Sequence, residues 1–65
     1  MIIKANNNTI HVPASITVRA LLKELNYKEP VAVWINGEQV FLQDYDARLV
    51  KQNDSVRLVR IISGG

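Results

Sequence analysis

Apolar and polar positions along the chain follow two different periods, and the first half of the sequence contains both. Residues 1–5 are apolar and β-branched, residues 9–12 alternate strictly, and three asparagines between them favour a turn, so this segment predicts a two-stranded hairpin. The apolar positions then take the spacing of one helical face, at Val18, Leu21, Leu22 and Leu25. This spacing predicts a helix of about ten residues with Thr17 as its N-cap and Asn26 as its C-terminal cap.

The period returns to two in the second half of the sequence. Residues 31–35 alternate, and Asn36-Gly37 after them is a strong signal for a tight hairpin turn, because such a turn needs positive φ angles. Residues 39–42 are predicted to return as the second strand of this hairpin. The stretch 43–53 has no clear period, so we expect a short helical turn and loops there, anchored to the core by Leu49 and Val50.

The last predicted strand covers residues 55–61 and completes the order β-β-α-β-β-β. A single short helix cannot bury itself, but it can cover one face of a mixed sheet. We therefore expect an α+β fold in which the first and last strands pair in parallel around the crossover. This is the β-grasp arrangement, with about five strands and one main helix. Residues 1–62 are predicted to form one domain, and residues 63–65 a flexible Ser-Gly-Gly tail.

Composition removes most of the catalytic possibilities. The chain has 65 residues, no cysteine and a net charge of +2, so a disulfide scaffold, a thiolate nucleophile and a cysteine metal site are excluded. His11 has no partner at a useful spacing, and Asp44 and Asp46 alone are too few for an oxygen-ligand metal site. We expect no catalytic residue, no metal and no bound cofactor.

Hydropathy and charge also bear on the surroundings of the protein. No apolar run approaches the ~20 residues of a membrane span, and no signal segment opens the sequence. The charge of +2 is too small to suggest a nucleic-acid partner by itself. We therefore expect a cytoplasmic protein that binds neither membrane nor nucleic acid.

The Gly-Gly end of the sequence is the feature with the clearest chemical use. Glycine has no Cβ, so Gly64 and Gly65 can pass through a narrow channel in conformations that other residues do not reach. They also leave the Gly65 carboxylate open to attack on a bound nucleotide phosphate. We expect Ser63, Gly64 and Gly65 to enter the active site of a partner enzyme.

The predicted β-β-α-β-β-β order, the hairpin Trp34-Ile35-Asn36-Gly37-Glu38 and the ending Arg60-Ile61-Ile62-Ser63-Gly64-Gly65 together resemble one known family. The chain resembles the ubiquitin-like sulfur carriers (ThiS/MoaD) over essentially its whole length. It resembles the thiamine-biosynthesis branch, ThiS, more closely than the molybdopterin branch, MoaD, which is typically longer.

That resemblance implies a cycle centred on Gly65. A ThiF-like enzyme would adenylate the Gly65 carboxylate with ATP, and a persulfide donor would convert it to a thiocarboxylate. A ThiG-like thiazole synthase would then accept the sulfur for the thiazole ring of thiamine. In this cycle the chain is a protein co-substrate and not an enzyme, and ATP is used by the activating partner.

Alternation places a candidate docking surface on the side of the sheet away from the helix. Alternation predicts that Val33 and Ile35 lie on the inward face, so Trp34 is expected to point outward. Tryptophan and arginine are enriched in interface hot spots, and exposed apolar patches often mark partner sites. The partner-docking face is therefore predicted to consist of Ala32, Trp34, Arg57 and Val59.

Two sets of alternatives remain open at the level of sequence. The same tail chemistry serves a MoaD-like carrier, a carrier for tRNA thiolation, or a ubiquitin-like modifier of protein lysines. From another class, a small nucleic-acid-binding β-grasp module would need a dense basic patch with exposed aromatics, for which the sequence gives weak support. Deletion of Gly64-Gly65 separates the two sets, because a nucleic-acid binder does not need the tail.

Overall fold

The computed structural model of the chain describes residues 1–62. Its elements follow the predicted β-β-α-β-β-β order. They are β1 (Ile2–Ala5), β2 (Asn8–His11), α1 (Val18–Glu24), β3 (Val31–Ile35), β4 (Glu38–Val40), a short 3₁₀ helix (Leu42–Asp44) and β5 (Ser55–Arg60). The predicted tail, Ser63, Gly64 and Gly65, lies outside the described residues.

The five strands form one mixed sheet in the order β2-β1-β5-β3-β4. Strands β1 and β5 pair in parallel at the centre, and the other neighbours pair antiparallel. The Asn36-Gly37 turn joins β3 to β4 with both residues at positive φ, as the sequence predicts. The β-grasp architecture is therefore confirmed, with β5 between the two hairpins.

Helix α1 covers one face of this sheet. The Thr17 hydroxyl accepts a hydrogen bond from the Ala20 backbone nitrogen at 3.1 Å, which confirms Thr17 as the N-cap. The helix has seven residues, fewer than the ten predicted, because Leu25 is already its C-cap. Asn26 is the next residue and takes a left-handed φ of 59°, a conformation that asparagine tolerates at helix ends.

The core lies between α1 and the inner face of the sheet. Alternate strand residues supply one side of it, and the helix supplies the other. One long side chain of the 43–53 segment also enters it: Tyr45 is only 3% exposed. The fully buried side chains include Ile3, Val18, Leu21, Leu22, Val33, Ile35, Val50 and Val56.

One prediction about side-chain placement and two about strand ends are wrong. The Leu49 side chain is 45% exposed and does not anchor the loop in the core, whereas Val50 is buried as expected. The Val50 nitrogen donates to the Ile16 carbonyl at 2.8 Å, so this extended segment turns residue 50 inward and residue 49 outward.

The second wrong prediction concerns the end of β4. The strand stops at Val40, and Phe41 and Leu42 do not continue it. Leu42 begins the 3₁₀ helix, and the Asp44 nitrogen donates to the Phe41 carbonyl at 2.8 Å. The run Val40-Phe41-Leu42 has no alternation, so the sequence could not show where pairing ends. The last strand likewise ends at Arg60, one residue before the predicted limit.

Candidate functional site

The outer face of the sheet brings the four predicted docking residues together. Strands β3 and β5 are in register so that Ala32 lies opposite Val59 and Trp34 lies opposite Arg57. Residues that face each other across antiparallel strands project to the same side. Arg57 and Val59 are exposed, while Ala32 and Trp34 are partly buried by their neighbours. The four residues therefore form a two-by-two block on the surface opposite α1.

An apolar groove extends this block toward the end of β5. It has a volume of about 460 Å³. Phe41 and Leu42 are 58% and 60% exposed, and Ile61, which is 54% exposed, follows β5 directly. The Ile61 nitrogen donates to the Pro30 carbonyl at 3.1 Å, which holds Ile61 beside the start of β3. We call this surface the apolar groove and define it by Pro30, Ala32, Phe41, Leu42 and Ile61.

Sequence reasoning missed this groove. It assigned Phe41 and Leu42 to a strand and treated Ile61 only as the end of one. The signal that could have indicated it is the apolar run that continues without alternation beyond Val40. Three large exposed apolar side chains around one depression are unusual for so small a surface.

Charge on the outer face is one-sided. Pairing of the strands places Lys4 and Arg57 on this face, with His11 near its edge. Among the strands of residues 1–62 the sole carboxylate belongs to Glu38, which pairs with the inward-facing Ile35 and so shares the other face. The outer face therefore combines apolar side chains with permanent cations, and its strands contribute no carboxylate.

Asn6, the residue after the end of β1, forms side-chain hydrogen bonds with the backbone of β5. The Asn6 side chain accepts from the Leu58 nitrogen at 2.8 Å and donates to the Leu58 carbonyl at 3.1 Å, as a paired strand would do. Its amide also donates to the Tyr27 hydroxyl at 3.3 Å. The Arg60 guanidinium lies 4.9 Å from the centre of the Tyr27 ring, a cation–π distance. These contacts fix the direction in which the chain leaves the sheet.

Of the two carboxylates considered from the sequence, Asp46 takes part in an ion pair. Arg19 forms ion pairs with Asp46, at 2.9 Å, and with Glu29. The hydrogen bond from Arg19 lowers the pKa of Asp46 below its ordinary 3.8, and the same bond raises the pKa of Arg19. Asp46 is therefore bound at the surface by a cation of α1.

Two negative findings apply to the part of the chain that the structure describes. Within residues 1–62, no group of three or more histidine, aspartate or glutamate side chains is placed to hold a metal ion. Across the same residues, no helix has the length and apolar character needed to cross a membrane. Gly65, the predicted site of modification, lies with Ser63 and Gly64 outside the described residues.

Comparison with known proteins identifies the family. The ThiS family model matches residues 2–65. The crystal structure of the thiamine biosynthesis protein (ThiS) from Geobacter metallireducens is similar with a TM-score of 0.86 and 30% identity, covering 100% of both chains. An NMR structure of a thiamine biosynthesis protein from Geobacter metallireducens has a TM-score of 0.80 and 32% identity, covering 100% of this chain and 88% of that one. No curated protein sequence matches. The match from residue 2 to residue 65, together with the β-grasp architecture, shows that the chain belongs to the ThiS family of ubiquitin-like sulfur carriers.

Proposed function

We propose that this chain carries sulfur for the thiazole ring of thiamine as a thiocarboxylate on Gly65. The observation that carries the proposal is the family match, which extends through residue 65 and so includes the Gly64-Gly65 pair. The structure of similar fold and 30% identity is that of a thiamine biosynthesis protein, which favours the thiamine pathway over the other sulfur acceptors.

The chemistry begins with activation of a poor electrophile. A Gly65 carboxylate oxygen attacks the α-phosphorus of ATP on a ThiF-like enzyme, forming an acyl adenylate and releasing pyrophosphate. The terminal sulfur of a partner's cysteine persulfide then attacks the acyl carbon, and AMP leaves. This gives an acyl disulfide between Gly65 and the partner. A thiol reductant cleaves its sulfur–sulfur bond, the thiol sulfur is oxidised to a disulfide, and the Gly65 thiocarboxylate is released.

All thiol chemistry in this cycle comes from partners, because the chain contains no cysteine. The chain supplies a carboxylate, a narrow tail of Ser63, Gly64 and Gly65, and a body that a partner can bind. A ThiG-like thiazole synthase is the acceptor of the sulfur. The cycle consumes ATP, and we place it in the cytoplasm.

The outer face of the sheet is the proposed docking surface for the activating enzyme. Its central block consists of Ala32, Trp34, Arg57 and Val59, which lie in register on β3 and β5. Its cations and its lack of strand carboxylates fit a partner surface that bears aspartate and glutamate around an apolar centre. Such complementarity raises the rate of encounter more than it raises affinity.

Intact-mass spectrometry tests the proposal. The chain is incubated with ATP, a ThiF-like enzyme, a persulfide donor and a thiol reductant, and we expect the mass shift for one oxygen replaced by sulfur at Gly65. A variant lacking Gly64-Gly65 is the control and is expected to stay unmodified. The activating enzyme is first shown to be active on its own carrier. Failure of the unaltered chain to form an adenylate or a thiocarboxylate under these conditions contradicts the proposal.

The acceptor is then identified by competition. Thiocarboxylated chain is offered in parallel to thiazole synthase, a molybdopterin synthase, a tRNA thiolation enzyme and lysine-containing proteins. We expect sulfur transfer to thiazole synthase. Preferential transfer to another acceptor keeps the carrier chemistry and replaces the pathway.

A further inference from the structure

We propose that the apolar groove receives apolar side chains of the enzyme that activates Gly65. The inference rests on the proposed function. It concerns Phe41, Leu42 and Ile61, which lie beyond the block of Ala32, Trp34, Arg57 and Val59.

Three apolar side chains of the groove, Phe41, Leu42 and Ile61, are exposed to water. Phe41 and Leu42 stand at the point where β4 gives way to the 3₁₀ helix, so neither side chain follows the alternation that would bury one of them. Each is more than half exposed, and Ile61 faces them with 54% exposure. Exposed apolar area costs about 25 cal/mol per Å² relative to burial, so covering this surface favours association.

The short distance along the chain from the groove to Gly65 favours the activating enzyme as the occupant of the groove. Gly65 is four residues beyond Ile61, and a fully extended chain spans at most about 3.6 Å per residue, so the Gly65 Cα lies within roughly 14 Å of the Ile61 Cα. An active site that encloses the Gly65 carboxylate therefore comes close to Ile61, which lines the groove, and this favours the activating enzyme as the protein that covers it.

The chemistry of the surface favours a different protein over a second copy of this chain. Two copies joined by their outer faces would bring Lys4 and Arg57 of one copy toward the same cations of the other, and like charges resist such pairing. Glu29 is the one charged residue that lines the groove, and its carboxylate is neutralised by an ion pair with Arg19, so the surface of the groove is otherwise uncharged. Its occupant is therefore an apolar projection, one or two aliphatic or aromatic side chains, on an enzyme surface with flanking carboxylates.

Three variants and one matched control test the inference. Phe41→Ala and Leu42→Ala remove groove side chains, Phe41→Leu keeps an apolar side chain there, and Leu49→Ala removes an exposed apolar side chain that lies outside the groove. Each variant is checked for folding by thermal denaturation. The measurements are its Kd for the activating enzyme and the KM and kcat of ATP-dependent pyrophosphate release.

We expect Phe41→Ala and Leu42→Ala to raise Kd and KM by about tenfold each, which is about 1.4 kcal/mol and more than truncation costs at most interface residues. We expect Phe41→Leu to stay within about threefold of the unaltered chain, because an apolar side chain remains in the groove. We expect Leu49→Ala to match the unaltered chain, because Leu49 lies outside the groove. If both groove variants fold and their Kd and KM match the unaltered chain, the inference is overturned. Dimerisation of the unaltered chain that Phe41→Ala abolishes also overturns it.

The failure of the proposed function is a separate outcome. If the unaltered chain and Leu49→Ala are not adenylated by an enzyme that is active on its own carrier, the proposed function fails, and the role of the groove fails with it. If both are adenylated, the groove variants decide the inference alone.

Discussion

Substitution of Tyr45 by phenylalanine tests how the sheet ends beside the groove. The Tyr45 hydroxyl donates a buried hydrogen bond to the Val31 carbonyl at 2.5 Å. Successive residues of a strand direct their backbone groups alternately to the two neighbouring strands, and the Pro30 carbonyl bonds toward β5. The Val31 carbonyl therefore points toward β4, which ends at Val40 before reaching it. Tyr45 supplies the donor that a longer β4 would have supplied.

The magnitude follows from what Tyr45→Phe leaves behind. The ring still fills its place in the core, but the Val31 carbonyl loses its donor in a buried position. A buried acceptor left without a partner costs about 1–3 kcal/mol. For a domain of this size a loss of about 2 kcal/mol lowers Tm by roughly 8–16 °C. The fold itself is expected to persist, because no core volume is removed beyond one oxygen.

Urea denaturation followed by circular dichroism measures the effect. We expect a lower midpoint with an unchanged m-value, which is the signature of a change in stability without a change in compactness. Tyr27→Phe is the matched control, because the Tyr27 hydroxyl takes part in an exposed hydrogen bond with Asn6. The control is expected to change stability by less than about 0.5 kcal/mol. If the free energy of unfolding of Tyr45→Phe is as high as that of Tyr27→Phe, the Tyr45 hydroxyl does not stabilise the fold through the Val31 carbonyl.

Three further predictions concern the surface. Because the Arg19 hydrogen bond lowers the pKa of Asp46, the pair stabilises the fold above the ordinary pKa of 3.8 and loses that effect as the pH falls through the lowered pKa. The difference in stability between the unaltered chain and Asp46→Asn should therefore vanish at low pH. A difference that stays constant in acid contradicts this prediction. Trp34→Ala should weaken calorimetrically measured binding to the activating enzyme without unfolding the chain, and equal affinities refute this. The association rate should fall with added salt, less so for Arg57→Gln, and a salt-independent rate contradicts steering by this face.

The elements that could be predicted from sequence depend on neighbouring residues. The Asn36-Gly37 turn and the Thr17 cap act within a few residues, so their residue types were enough to locate them. The block of docking residues was also predictable in position. Alternation assigned Trp34 and Arg57 to the outer face, and any antiparallel pairing of β3 with β5 would bring outward residues together.

The groove and the polar contact at Asn6 depend on residues far apart in the chain. Phe41 does not continue β4, because a 3₁₀ helix begins at Leu42 and the Tyr45 hydroxyl donates to the carbonyl of Val31, fourteen residues earlier in the chain. The Asn6 side chain bonds to Leu58 across fifty-two residues. No local sequence pattern predicts such contacts, because a backbone group without a strand partner can bond to any donor or acceptor that the fold brings near.

Period, turn residues and composition are local properties, so they were enough to predict the order of the elements, the inward and outward sides of β2, β3 and β5, and the absence of thiol chemistry. The end of β4, the apolar side chains that remain exposed, and the position of the groove beside Ile61 follow only from the folded arrangement of the chain. The physical reason is that burial of a side chain and pairing of a backbone group are settled by what packs against them, and in this fold those neighbours come from distant parts of the chain.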